Sequence, residues 1–178
     1  MRASAVVVAL FVVAGCHRSV QVGSGPAASA SAVPFATAAL QLANGQSAGT
    51  ISFSSSGSSV SLSGDVTGLT AGQHGIHFHA VGKCEGPAFT TAGGHVNPMT
   101  KKHGLKNPDG PHAGDLDNIT ADASGHAHVS LMTDRVTAAA LMDADGSAII
   151  VHAAVDDQMT DPSGNSGARF ACGVIQKR

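Results

Sequence analysis

Short runs in which apolar and polar residues alternate dominate the chain from Phe35 onward. Alternation with a period of two is typical of half-buried strands, and Asn44-Gly45 between the first two runs is a strong hairpin signal. A helix over 135–142, RVTAAALM, is an alternative for one brief segment. The pattern therefore predicts an all-β fold, an antiparallel sandwich or barrel. The predicted strands cover residues 37–42, 49–54, 60–69, 75–80, 116–121, 126–132, 148–153 and 169–175.

The first segment has a different pattern, an apolar run of about ten residues that begins after Arg2 and ends before Cys16. It is too short to span a bilayer, so it predicts a secretory signal peptide over 1–15 and an exported, periplasmic or cell-envelope protein. The small residues before Cys16 resemble the lipobox of bacterial lipoproteins, in which this cysteine carries the lipid that anchors the protein to a membrane. Ordinary secretion with cleavage nearby is the alternative.

Residues 16–34 are rich in Ser, Ala, Gly and Pro, which is the composition of a flexible tether to a domain over 35–178. The formal net charge of -2 is too small to indicate a nucleic-acid partner. Four lysines lie in or near the His-rich loop 93–115. They either serve ordinary solubility or create a local positive field that attracts an anion. They are Lys83, Lys101, Lys102 and Lys106.

Ten histidines are the compositional excess that points to chemistry, and three of them lie in the loop 93–115. This stretch, GGHVNPMTKKHGLKNPDGPHAGD, has too few apolar residues for a buried strand and is interrupted by prolines. Three imidazoles and one carboxylate form the ligand set of a closed, four-coordinate zinc site. The alternative is a polar surface loop with incidental histidines. The residues are His95, His103, His112 and Asp115.

A second group of histidines lies on predicted strands. Residues two apart on a strand face the same side, so His77 and His79 point together. The same spacing occurs in His126 and His128, and local sequence does not separate a metal pair from a polar outer face. His152 ends an apolar run, where a lone histidine is either a structural residue or a ligand.

Taken together, four motifs resemble those of the copper-zinc superoxide dismutases, from about Phe35 to Ile175. The resemblance implies an eight-stranded Greek-key antiparallel β-barrel or sandwich with long metal-binding loops. The motifs are GIHFH at 75–79, the GGH…HAGDL run at 93–116, IIVHAAVDD at 149–157 and GNSGARFACGVI at 164–175.

The resemblance also implies a role for each matching residue. The copper ligands would be His77, His79, His95 and His152. The zinc ligands would be His95, His103, His112 and Asp115. His95 would bridge the two metals and take part in proton transfer, and Arg169 would guide and hold the substrate anion. Asp156 would link a copper-ligand histidine to a zinc-ligand histidine, while His126 and His128 match nothing in the family and are expected at the surface.

Cys84 and Cys172 match the family disulfide. With Cys16 assigned to lipidation, they also remain as a pair suited to an oxidising compartment. A disulfide between these cysteines, which are 88 residues apart, would contribute about 4 to 5 kcal/mol to the free energy of unfolding in the chain-entropy model.

The activity implied by the resemblance is dismutation of superoxide to oxygen and hydrogen peroxide, with one copper and one zinc per subunit. A non-enzymatic copper- or zinc-binding domain, for buffering or delivery, is the alternative, and Arg169 disfavours it because a metal buffer would not need that arginine. The span 156–164 is shorter than in many family members and carries only aspartates as charged residues, so it is not expected to steer an anion. Sequence leaves open whether the protein is a monomer or a homodimer.

Overall fold

The structure is a computed structural model that describes residues 33–178. The predicted signal peptide over 1–15, Cys16 and nearly all of the predicted tether lie outside the described residues. Within the described part, a 3-10 helix covers Thr90–Ala92, and α1 is a single turn at Ala138–Leu141. The strands are β1 (Pro34–Leu42), β2 (Ser47–Ser56), β3 (Ser59–Val66), β4 (Gly72–His74), β5 (Ile76–His79), β6 (Ile119–Ala121), β7 (Ala127–Thr133), β8 (Ala148–His152), β9 (Arg169–Val174) and β10 (Gln176–Lys177).

Eight of these strands form one curled antiparallel sheet in the order β5-β8-β9-β1-β2-β3-β7, with β10 paired to β1. β4 and β6 form a separate two-stranded sheet. The predicted all-β class is confirmed, but strand boundaries differ, and β10 is not among the predicted strands. The strand predicted at 60–69 ends at Val66, the run 75–80 is preceded by the separate strand β4, and the strand predicted at 116–121 forms only at Ile119–Ala121.

The main core lies on the inner face of the curled sheet. On β1, Ala36, Ala38 and Leu40 alternate inward, and Ile51 and Phe53 do so on β2. Each large apolar side chain of this kind contributes about 1.5 to 3 kcal/mol when fully buried. The inward positions of β1 and β2 are the ones that the two-residue alternation predicts.

β5 and β8 differ from the other strands because they are buried on both faces. Ile149 and Val151 of β8 belong to the main core, whereas Ala148 and Ile150 belong to a second apolar cluster together with Phe89. Phe89 lies in the loop that follows β5, so this loop covers the outer face of the two strands. Residues two apart share a face, and His152 therefore lies on the same covered side as Ile150.

The disulfide Cys84–Cys172 fastens this covering loop to β9, with 5.6 Å between the two Cα atoms. The predicted cysteine pair is thus confirmed. Among the described residues, no helix is long and apolar enough to cross a membrane.

Candidate metal centre

Four histidines converge on the covered face of β5 and β8. Each offers one ring nitrogen, and these nitrogens lie within 4.8 Å of one another. They are the four predicted copper ligands, His77, His79, His95 and His152. Three of the nitrogens in this group, His77 Nδ1, His79 Nε2 and His152 Nε2, are buried without a hydrogen-bond partner. Buried polar atoms normally have a partner, so this clustering indicates that a cation belongs between the rings.

The opposite nitrogen of each ring determines which lone pair faces the centre. His79 Nδ1 lies 2.9 Å from the carbonyl of Gly93, and His152 Nδ1 lies 3.2 Å from the carbonyl of Gly167. A carbonyl only accepts, so each Nδ1 donates its proton and each Nε2 keeps a free lone pair. His77 is arranged the other way, since its Nε2 donates to Asp156 Oδ2 at 2.7 Å. The structure thus presets three tautomers for metal binding.

Burial also keeps these rings neutral. Desolvation lowers the pKa of His77 to about 4, although the hydrogen bond to Asp156 opposes the shift. It lowers the pKa of His79 to about 2 and that of His152 to about 3, and neighbouring histidines add to both shifts. Neutral imidazole is the form that coordinates a metal, so these side chains bind without first losing a proton at pH 7.

A second group of ligand atoms surrounds the buried carboxylate of Asp115. Its Oδ1 lies 2.8 Å from His95 Nδ1, 3.0 Å from His103 Nδ1 and 3.3 Å from His112 Nδ1. His112 Nδ1 is also 3.3 Å from His95 Nδ1. Ligand atoms 2.0 to 2.1 Å from a tetrahedral zinc ion would lie about 3.3 Å apart. The arrangement therefore fits a small tetrahedral cation.

Backbone amides fix the other oxygen of the same carboxylate. Asp115 Oδ2 accepts hydrogen bonds from the amides of Gly104 at 2.8 Å and His112 at 2.9 Å. Burial raises the pKa of Asp115, but the hydrogen bonds from His103, His95 and Gly104 outweigh it and hold the pKa well below its usual range. The carboxylate is thus charged and oriented before any metal binds.

His77 is an alternative to His112 in this second group, because one of its ring nitrogens lies within 4.8 Å of ring nitrogens of His95 and His103 and of a carboxylate oxygen of Asp115. The two histidines differ in their remaining contacts. His77 Nε2 is already bonded to Asp156, and its free Nδ1 belongs to the first group. His112 Nδ1 has two of the group's atoms at 3.3 Å, which favours His112.

Asp156 connects the two groups. Its Oδ2 accepts from His77 Nε2, and its Oδ1 lies 3.0 Å from His103 Nε2. Asn118 holds the backbone of Asp156 through two hydrogen bonds of 2.8 and 2.9 Å. Gly164 has a φ of +63°, and a Cβ there would overlap the carboxylate of Asp156. Glycine at 164 therefore serves both the backbone conformation and the space that Asp156 requires.

The two carboxylates act together on the imidazole of His103. Burial lowers the pKa of His103, but hydrogen bonds to Asp115 and Asp156 outweigh that effect and raise the pKa to about 9. In the metal-free protein, His103 is therefore protonated at neutral pH and bridges two negative charges.

Arg169 borders the first group at the wall of a cavity of about 370 Å³ that also contacts His79, His95 and His152. Its guanidinium donates to the carbonyl of Phe89 at 2.6 Å and to that of Gly93 at 2.7 Å. Arginine has five N–H donors, so donors remain for an anion in the cavity. Burial lowers its pKa, yet arginine remains charged at all ordinary pH values.

The short loop 157–161 packs on the loop 93–115. Asp161 accepts from the amide of His103 at 2.8 Å and from Lys102 Nζ at 3.1 Å. Asn107 Nδ2 donates to the carbonyl of Met159 at 2.9 Å. These contacts give the aspartate-bearing loop a role in holding the loop that carries His103.

The pair His126 and His128 has a surface role. Both rings contact Asp65 Oδ1, at 3.0 and 3.1 Å, and all three side chains are substantially exposed. Asp65 lies opposite His128 in the pairing of β3 with β7. The local sequence pattern of this pair is the same as that of His77 and His79. Of the two pairs, His77 and His79 lie under the covering loop that follows β5, and His126 and His128 do not.

Residues 47–175 match the family model described as copper/zinc superoxide dismutase (SODC). The chain belongs to the copper/zinc superoxide dismutase family. Its enzyme class is accordingly superoxide dismutase, and its cofactors are copper and zinc.

Relatives of this superoxide dismutase agree with that placement. The Cu-Zn superoxide dismutase of Caulobacter vibrioides is 44% identical over 148 residues, which are 79% of this chain and 85% of the relative. The solved Cu/Zn superoxide dismutase of Brucella abortus has a TM-score of 0.67 at 29% identity, covering 79% of this chain and 98% of that one. A solved SOD-like protein from Bacillus subtilis has a TM-score of 0.71 at 35% identity, covering 79% and 97%. The disulfide and the bacterial relatives fit an extracellular or periplasmic location.

Three residues that support the superoxide dismutase site could not be predicted from the sequence. Asn118, which holds the backbone of Asp156, and Gly104, whose amide binds Asp115, carry no local signal. Gln158, two residues after Asp156, carries no local signal either. The bonds from Gly104 to Asp115, from Asn118 to Asp156 and from Leu105 to Gln158 span 11 to 53 residues of the chain, so only the folded loops reveal them.

Proposed function

We propose that this chain dismutates superoxide at a copper ion held by His77, His79, His95 and His152. The observation that carries the proposal is the set of three buried, unpartnered ring nitrogens in one four-histidine group. Imidazole suits copper in both of its oxidation states, and the group opens toward a cavity that Arg169 borders.

We assign zinc to His95, His103, His112 and Asp115. The distances of 2.8 to 3.3 Å among their ligand atoms support this set. His95 belongs to both assignments. Its Nδ1 faces Asp115 and His112, so Nε2 is the nitrogen left for copper. Two cations make the loss of both ring protons feasible.

Copper, when bound, supplies the one-electron chemistry: one superoxide gives up an electron and leaves as oxygen, and a second takes up an electron and two protons and leaves as hydrogen peroxide. The residues of the chain set the conditions for these steps. His77, His79 and His152 stay neutral and oriented through their outer hydrogen bonds. With zinc on Nδ1, His95 Nε2 would carry a proton whenever copper does not occupy it, and it would deliver that proton to the reduced substrate. Arg169 places a fixed positive charge beside the anion.

Replacement of Arg169 by alanine is expected to slow superoxide consumption at low ionic strength by about 10-fold or more, because attraction of the anion is lost. Copper and zinc contents should remain at wild-type levels, since Arg169 is not a ligand. Arg169→Lys keeps the charge without the paired anchoring and should retain part of the rate. The rates are measured over a range of salt concentrations. Loss of metal from Arg169→Ala would show that the arginine is structural instead.

Zinc binding to the metal-free protein should be pH dependent because zinc competes with a proton on His103. The pKa of about 9 means that His103 is protonated below this pH. The apparent zinc affinity should therefore fall about tenfold per pH unit below 9 and level off above it. His77, His79 and His152 add no such dependence above pH 4, where they are neutral. Competition with a chromophoric chelator measures the affinity, and a flat profile between pH 7 and 9 would contradict the assignment.

The proposed activity is tested with four preparations of the purified protein: metal-free, zinc only, copper only, and copper with zinc. Superoxide consumption should appear only with copper, and the preparation with both metals should be the most active. A protein that binds one copper and one zinc per chain without consuming superoxide would instead be a metal-binding domain on the same scaffold.

We also propose that residues 1–15 are a signal peptide, that Cys16 carries a lipid, and that 16–34 tethers the domain 35–178 to a membrane. The lipobox-like residues before Cys16 support this proposal. Mass spectrometry of the protein from its native host should show a lipidated N-terminal Cys16. An unmodified N-terminus beyond Cys16 would contradict it.

A further inference from the structure

Gln158 is not one of the proposed metal ligands, but its side chain reaches from the loop 157–161 to the loop 93–115 that carries His103 and Asp115. The residue is 5% exposed, and its backbone has a φ of +63°. Non-glycine residues rarely adopt this conformation, and a buried amide is costly unless it is hydrogen bonded. Both facts require that the surroundings hold Gln158 in place.

Four hydrogen bonds do so. The amide of Gln158 donates to Asp156 Oδ1 at 2.7 Å, and its carbonyl accepts from the amide of Lys106 at 3.0 Å. Its side-chain Oε1 accepts from the amide of Leu105 at 3.4 Å, and Nε2 donates to the carbonyl of Leu116 at 3.1 Å. Both halves of the side-chain amide are therefore paired.

Leu105 and Leu116 adjoin two residues of the group around Asp115, and Asp156 contacts one residue of the four-histidine group. Leu105 follows His103 by two residues, and Leu116 follows Asp115 directly. Asp156, at the other end, holds the ring of His77. The backbone also comes close to Gly104, where a Cβ would overlap the carbonyl of Gln158. One residue thus connects two parts of the loop 93–115, near Leu105 and at its C-terminal end, to the carboxylate that orients a histidine of the four-histidine group.

We propose that Gln158 is a positioning residue that transmits the arrangement of the loop 93–115, through Asp156, to the ring of His77. The inference rests on the metal assignments proposed above. Without the side-chain bonds, the loop around Leu105 is tied to Asp156 only by the contact between His103 Nε2 and Asp156 Oδ1 and by the backbone bonds of Gln158, so it is held less firmly. Mutation of a residue that hydrogen bonds to a metal ligand, as Asp156 does to His77, typically lowers metal affinity by about 10- to 100-fold. Gln158 in turn holds Asp156.

The test compares Gln158→Met, which has a similar size but no amide, with Gln158→Asn. Asn tolerates the left-handed backbone and keeps the backbone bonds, but it is too short to reach both Leu105 and Leu116. Gln73 is exposed on β4, so Gln73→Met is the matched control. Each protein is loaded with copper and zinc. Two quantities are then measured: the rate of zinc transfer to a chelator and the electron paramagnetic resonance spectrum of Cu(II).

We expect Gln158→Met to release zinc at least about 10-fold faster and to show an altered Cu(II) spectrum. Gln158→Asn should change both quantities in the same direction but less, and it decides the matter if Gln158→Met does not fold. Gln73→Met should match the wild type. Faster zinc release with an unchanged copper spectrum would overturn the proposed link to His77, as would wild-type behaviour of Gln158→Asn in both measurements. If the wild type binds neither metal, the proposed function fails, and this inference fails with it.

Discussion

His152→Ala is expected to lower superoxide consumption by more than about 100-fold. Loss of a mere hydrogen-bond partner of a metal ligand typically costs 10- to 100-fold, so removal of a ligand itself should cost more. The zinc content should stay unchanged, because His152 contributes no atom to the group around Asp115. The measurement is superoxide consumption per mole of protein at saturating copper, with zinc content determined in parallel.

His128→Ala is the matched control for this variant. His128 also lies on a strand and contacts a carboxylate, but its side chain is 63% exposed and far along the sheet order from β8. It should consume superoxide at the wild-type rate. Full activity in His152→Ala, or equal loss in both variants, would show that the four-histidine group is not the reactive centre.

Asp115→Ala is expected to have the largest effect on metal binding and stability. The buried carboxylate is surrounded by three imidazoles and two backbone amides, so its removal leaves a protonated His103 with half of its compensation. Breaking a buried charged pair in this way typically costs about 3 to 5 kcal/mol. The free energy of unfolding of the metal-free protein should fall by that amount, as measured by urea denaturation, and stoichiometric zinc binding should be lost.

Asp117→Ala is its control, because Asp117 is an exposed aspartate only two residues away. Its effect on the free energy of unfolding should be within about 0.5 kcal/mol. A similar fall in both variants would mean that Asp115 has no special role in the loop.

The sequence carries those features of the fold that depend on neighbouring residues. Alternation predicted β1, β2, β3 and β7 of the main sheet, since residues such as Ile51 and Phe53 show their inward direction through their spacing alone, but it did not predict the two-residue β10. It failed at β6, where 116–118 remain irregular because Asn118 bonds to the backbone of Asp156 rather than to a strand. β5 and β8 also show why burial on both faces is difficult to predict: their second cover is a loop that begins after β5 itself.

The ligand candidates could be named from motifs, but their tautomers could not. His79 and His152 present Nε2 to the centre because their Nδ1–H groups donate hydrogen bonds to the carbonyls of Gly93 and Gly167. His77 presents Nδ1 instead, because its Nε2–H donates to Asp156. Spacing gives no information on these partners. The role of loop 157–161 was likewise hidden, since its aspartates suggested only that the loop cannot steer an anion.

The most direct test of the account is the product balance of the protein loaded with copper and zinc. Two superoxide anions and two protons should give one oxygen and one hydrogen peroxide, so oxygen and peroxide should form in equal amounts while copper turns over many times. An oxygen electrode and a peroxide assay on the same reaction measure both products. Peroxide without matching oxygen, or consumption that stops after about one superoxide per copper, would contradict dismutation at this site.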